Sequence, residues 1–237
     1  MYSMQGIVRK GVNNSITQFE RLGHVANNLA NMNTRGYKTV NFEQMLKEDG
    51  YLTGAVRADY KQGSIQITSN PYDVAINGNG FIPVVSPQGE VAYTRDGAFK
   101  QGKDGYLVTS DNWLVGEGIK IPTNCYKFEI KSNGEVYSYD AANTKPKKLG
   151  TIPLVRFASQ ENLEQVGMNK LVPTEESGEP QLVREHDCIC QNNLENSNTN
   201  IYTATTDMLR LNASMLASMK MIKVVDDIYN KSINIRE

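Results

Sequence analysis

Helical spacing of apolar residues occurs at both ends of this chain and lapses between them, and that arrangement limits the fold more than any other property of the sequence. Near the start, Ile7, Val8, Val12, Ile16, Phe19, Leu22, Ala26 and Leu29 fall mostly three or four apart, which lines them along one side of a helix. From about Asn200 to Ile233, the residues Ile201, Ala204, Met208, Leu211, Met215, Ile222, Val225 and Tyr229 take alternating a and d places of a heptad. Ser218 and Ser232 interrupt that seam, while Leu209, Leu216 and Met219 widen it. A single partner helix does not easily bury so broad a face, so neighbouring copies are its natural cover; the other arrangement that fits the periodicity is a helical hairpin buried against the chain's own β domain. Met208, Met215, Met219 and Met221 add unbranched, adaptable packing to the same surface.

The first helical pattern runs into VANNLANMNTRGYK, from Val25 to Lys38. Asn27, Asn28, Asn31 and Asn33 compete with the backbone for hydrogen bonds, and Gly36 permits a turn, so the helix should fray or stop there. Between the helices the pattern changes to short strands: GSIQIT, DVAING, GFIPVV, EVAYTR, GYLVT, FEIK, EVYSY, TIPLVRF and KLVPT. Turn signals at Asn77-Gly78, Asn79-Gly80, Asp96-Gly97, Asp104-Gly105 and Asn133-Gly134 favour tight hairpins. Crossover helices are missing from the pattern, so the expected middle is an antiparallel barrel or sandwich. The stretch NFEQMLKEDG fits a short helix and the following YLTGAVRADYKQGSIQIT an extended, turn-rich segment.

Composition excludes more than it selects. The chain has 237 residues, 39% of them hydrophobic, and a formal net charge of -1, so no strong field steers it to nucleic acid or a membrane surface. No segment approaches the roughly 20 apolar residues of a membrane span, and MYSMQGIVRKGVNN has no apolar core of signal-peptide length. Cys125, Cys188 and Cys190 are an odd number and give no disulfide framework. His186, Cys188 and Cys190 could begin a zinc site, but only His24 and Cys125 remain to complete four soft ligands, and buried or half-exposed small residues are the simpler reading. NGNGF, Asn77 to Phe81, lacks the third glycine and following helix of a dinucleotide loop and reads as a turn. Asp73, Asp96 and Asp104 read as turn residues, and His24 and His186 sit in unrelated segments without a nucleophile signature. The basic run Lys145 to Lys148 reads as a solvated loop. These patterns predict no catalytic residue, metal site or cofactor.

Three blocks resemble the axial proteins of the bacterial flagellum, the rod and hook family: VANNLANMNTRGYK; DVAINGNGFIPVVSPQGEVAYTRDGAF with DGYLVTSDNWLVG; and LENSNT just ahead of the second helix. They touch both end regions and the middle in the family's order. The TQFERLGHVANNLAN start looks more like a proximal-rod protein than a distal-rod or hook protein, whereas the C-terminal helix lacks the Arg-Ala-Tyr-Glu-type segment of many relatives near Leu211 to Met215. The resemblance implies a structural subunit without turnover, passed unprocessed from the cytoplasm through the flagellar type III export apparatus and assembled in the basal-body rod across the periplasm. Its implied partners are copies of itself and other rod and hook-basal body proteins, with no nucleic acid and no direct membrane insertion.

The expected fold class is therefore α+β: N- and C-terminal amphipathic helices packing as a coiled-coil-like bundle, with a central antiparallel β-rich domain. Expected divisions are 1–32 for the first rod helix, 33–70 for a linker and subunit-contact segment, 71–193 for the β-rich domain and 194–237 for the second rod helix. Residues expected at subunit interfaces are Ile16, Phe19, Leu22, Leu29, Met208, Leu211, Met215, Ile222, Val225 and Tyr229. A different class of function, a secreted oligomeric adaptor that holds a ligand in its β domain, would also use helical association, but in a small closed bundle.

Overall fold

A computed structural model describes residues 4–140 and 143–234, without the side chains at 4, 5, 7, 143, 144 and 232–234. Ile7 of the predicted stripe and Ser232 of the predicted seam thus lie outside the described side chains. The chain divides into two compact units, one of residues 1–32, 39–59 and 199–237 and one of residues 33–38 and 60–198.

The first unit holds α1 (Met4–Ala30), α2 (Ile201–Asn234) and a hairpin of β1 (Val40–Leu46) and β2 (Leu52–Ala58). The helices run antiparallel: the Asn14 side-chain amide donates to Ser218 Oγ at 3.3 Å, and that of Gln18 to Ser214 Oγ at 3.0 Å. Helix α1 passes through Asn27 and Asn28 before it stops at Ala30. Asn28 is buried because its side chain reads the hairpin backbone: its amide donates to Val40 O at 2.8 Å, and its oxygen accepts from Val40 N at 2.9 Å. Asn13 makes the same pair of bonds to Leu52, at 3.2 and 2.7 Å. Two carboxamides on one side of α1 therefore fix both strands, and the stretch expected to begin a short helix at Asn41 is β1 instead. For the same reason the segment 33–70 is shared between the two units rather than forming one linker.

The second unit is built on antiparallel strands, with one short 3-10 helix at Gln160–Asn162: β3 (Ile65–Ile67), β4 (Val74–Ile76), β5 (Ile82–Val85), β6 (Val91–Thr94), β7 (Lys100–Gln101), β8 (Leu107–Val108), β9 (Leu114–Val115), β10 (Cys125–Ile130), β11 (Glu135–Asp140), β12 (Asn143–Thr151), β13 (Leu154–Arg156), β14 (Glu164–Gln165), β15 (Lys170–Val172), β16 (Gln181–Val183), β17 (Ile189–Gln191) and β18 (Asn193–Glu195). One seven-stranded sheet has the order β14-β15-β6-β5-β9-β8-β7, and a three-stranded sheet the order β10-β11-β12. The pairs β13-β16, β17-β4 and β18-β3 complete the unit. Lys170 on β15 pairs with Asp111 in the β8–β9 turn and lies 4.8 Å from the Trp113 ring centre, which ties two distant strands of the large sheet together.

Alternation in β10 and β11 buries Phe128, Ile130 and Val136 beneath the small sheet, where they join Ile76, Ile82, Phe99, Leu107, Ile152, Leu154 and Ile189 in the main core. A second, aromatic cluster gathers Phe81, Tyr93 and Phe157, with ring centres 4.9 to 5.9 Å apart in edge-to-face geometry. Asp104-Gly105 and Asn133-Gly134 do turn hairpins, β7–β8 and β10–β11. Asn77-Gly78, Asn79-Gly80 and Asp96-Gly97 do not, because β4, β5, β6 and β7 take their partners elsewhere in the unit. The basic run Lys145 to Lys148, expected in a loop, is exposed strand in β12, which is an edge of its sheet.

Candidate functional site

The surface of the helical unit departs from the usual rule that apolar residues turn inward. Where α1 is buried it carries Thr17, Gln18 and Asn28, whereas Val12, Ile16 and Phe19, at i, i+4 and i+7, are 44, 53 and 50% exposed. The predicted stripe of α1 is thus split: Leu22 and Leu29 are half-buried, and the middle of the stripe faces outward. Hydrogen bonds to Ser214 and Ser218 account for the split, since Asn14 and Gln18 have to face α2 to make them.

On α2, Leu211 is buried, and Met208, Met215, Ile222 and Val225 are half-buried. Tyr229 is exposed, as are Tyr202, Leu209, Leu216, Met219, Met221, Val224 and Ile228. Between the helices a cavity of about 550 Å³ is lined by Val8, Gly11, Asn14, Ala217, Met221, Ile222 and their neighbours. Of the ten residues expected at interfaces, Leu211 therefore closes the pair within the chain, and Ile16, Phe19 and Tyr229 remain on its surface. No described helix is long and apolar enough to cross a membrane.

Sequence reasoning missed a buried charge cluster in the β unit. Glu195 on β18 is 1% exposed; its Oε1 accepts from Lys38 Nζ at 2.6 Å and from Gly63 N at 2.8 Å, and its Oε2 from Arg95 Nε at 2.8 Å. Arg95 also donates to the carbonyls of Gly78 and Gly80, both at 2.9 Å, and Lys38 to that of Lys61 at 2.7 Å. Gly36 donates its N–H to Glu195 O at 2.8 Å, and its positive φ of 66° suits glycine. A Cβ there would stand 2.7 Å from the Arg95 backbone. The stretches GYK, TR and LEN thus meet around the one Glu195 side chain, and NGNG joins them through Arg95. Such a cluster supplies register more than net stability, because desolvating three charges offsets most of their attraction.

Cys125, Cys188 and Cys190 are free thiols, and among the described residues no three of His, Cys, Asp and Glu are placed to hold a metal ion. Burial pushes the His186 imidazole below its ordinary range. Asp96 is pushed above the usual carboxylate range by burial, against hydrogen bonding from the Ala98 backbone.

Residues 18–38 match the flagella basal body rod protein family, and residues 75–138 match the flagellar hook protein FlgE/F/G D1 domain. The first match spans the end of α1 and Lys38, the second the core strands and Arg95. Together they define an axial protein of the flagellum. Full-length relatives agree: the chain is 30% identical to flagellar basal-body rod protein FlgG of Buchnera aphidicola subsp. Acyrthosiphon pisum, over 87% of this chain and 90% of that protein. It is 30% identical to FlgG of Agrobacterium fabrum, over 86 and 88%, and 29% identical to FlgG of Caulobacter vibrioides, over 90 and 92%. The chain belongs to the flagellar basal-body rod protein family. It is a structural subunit of the basal body, assembled with other rod and hook-basal body proteins.

Proposed function

We propose that this subunit polymerises into the axial shaft that carries torque from motor to hook, and that the outward apolar faces of its two helices are the surfaces that neighbouring copies cover. One observation carries the reading: Val12, Ile16 and Phe19 stay exposed although the same helix turns Asn14 and the buried Gln18 toward α2. Ile16, Phe19 and Tyr229 meet adjacent subunits directly. Leu22, Leu29, Met208, Met215, Ile222 and Val225 line the border between the two kinds of contact, and Leu211 holds the helix pair in the shape the neighbour meets. Contacts of this kind are heterologous, one face against a different face, and they extend rather than close.

Before incorporation the helices have few apolar partners and order weakly; binding supplies the partners and pays the ordering entropy. That coupling suits passage in an unfolded state through the type III export apparatus and restrains polymerisation in the cytoplasm. The TQFERLGHVANNLAN start supports a proximal place in the rod.

Phe19→Asp tests the reading. Phe19 is half exposed, so the change should alter the stability of the free chain by only about 0.5 kcal/mol. Incorporation into basal bodies and swimming should nonetheless be abolished. Normal swimming with a fully charged residue at this position would sink the proposal.

A further inference from the structure

Strand β12 is an edge of the sheet β10-β11-β12 and presents Lys145, Pro146, Lys147 and Lys148 in succession, all exposed. Proline and lysine on an edge strand refuse an incoming strand, so docking here does not proceed by backbone pairing. What the edge offers is positive charge. On the outer face of the sheet Lys148 pairs with Glu135 and Lys127 with Glu129, while Lys131 lies 4.5 Å from the Tyr137 ring centre. Lys145 and Lys147 have no carboxylate within ion-pair distance among the described residues.

The same unit carries the complement. The sequence between residues 159 and 187 holds seven carboxylates and only two fixed cations, Lys170 and Arg184, and Lys170 is already paired with Asp111. Glu175, Glu176 and Glu179 are exposed on a loop whose Ser177 is fully buried and bonded to Thr174, and none of the three is ion-paired among the described residues. The near-neutral whole therefore hides two patches of opposite sign on one unit, with Lys145 and Lys147 in one and Glu175, Glu176 and Glu179 in the other not ion-paired among the described residues. An open-ended assembly calls for two different surfaces on each subunit that match one another.

We propose that Lys145 and Lys147 of one subunit receive the Glu175–Glu179 loop of the next copy, setting the register between β units by charge. The proposal rests on the rod reading above, in which copies of the chain stack.

Charge reversal tests it in the bacterium that carries this chain, with the subunit counted in purified basal bodies. Lys145→Glu/Lys147→Glu makes both patches negative, and Glu175→Lys/Glu176→Lys makes the loop positive to match the edge. Each variant alone should lose incorporation on the order of tenfold, from lost pairing and new repulsion, whereas the two expressed together should regain it as an alternating assembly. Either variant incorporating alone as well as the wild type, or a mixture no better than its parts, overturns the proposal. A second readout is independent of any variant: a zero-length carbodiimide cross-linker applied to wild-type basal bodies should join a peptide containing Lys145 or Lys147 to one containing Glu175 to Glu179 from another copy. Other Lys–Glu links forming without this one would also overturn it. Wild-type incorporation itself tests the rod reading separately, because it involves no change at either patch.

Discussion

Glu195 shows how much one side chain can fix. Its carboxylate holds Lys38 and Arg95, whose partners in turn include the carbonyls of Lys61, Gly78 and Gly80, so four separate stretches are tied to one buried group. Replacing it by Gln keeps the shape and leaves two cations buried without a counter-charge. Glu195→Gln should therefore cost about 3 kcal/mol and lower the melting temperature by roughly 10 °C in a calorimetric scan. At the surface a carboxylate behaves differently. Lys148 first, then Asn133 and Tyr137, hold the Glu135 carboxyl down to about 2. A depressed carboxyl pKa stabilises the fold above the unfolded value of about 4.3, and that contribution is lost as the pH falls toward about 2. An NMR titration of Glu135 should find its midpoint near 2, and Lys148→Met should move it up toward the ordinary carboxylate range.

Among the elements, the β1–β2 hairpin depends on α1 through four hydrogen bonds from two asparagines, with Phe42 stacked on His24 at 5.4 Å between ring centres. Asn28→Ala removes two of those bonds and leaves the Val40 backbone unpaired. The loss should be about 2 kcal/mol of stability and visible as faster amide exchange at Val40. The two helices and nine of the strands were legible in the sequence because periodicity is a local signal. The hairpin was not, since NFEQMLKEDG carries no alternation that a surface-lying strand needs to show, and its burial pattern is exposed almost throughout. The charge cluster was invisible for a different reason: Glu195 and its two partners stand 157 and 100 residues apart, and nothing local marks a charge as buried. A carboxamide such as Asn28 signals a helix end in sequence because it competes with its own backbone, but here it bonds the backbone of β1 and the helix continues to Ala30.

At the scale of the whole molecule, one chain carries two units with different tasks. The β unit has large apolar cores of its own and a buried register device. The helical unit closes with polar rungs and leaves its apolar faces outside, an arrangement that makes sense for a body completed by others. In the proposed assembly, where copies stack, a modest exposed face on each becomes part of a continuous buried seam.

Hydrogen exchange followed by mass spectrometry, on the purified chain and on the same chain within isolated basal bodies, tests that claim most directly. Peptides covering Val12 to Phe19 and Leu209 to Met221 should exchange quickly in the free chain and become strongly protected in the basal body, while peptides of β4, β5 and β6 change little between the two. Equal exchange of the helical peptides in both states would mean that no neighbour covers them, and the account of assembly would fail.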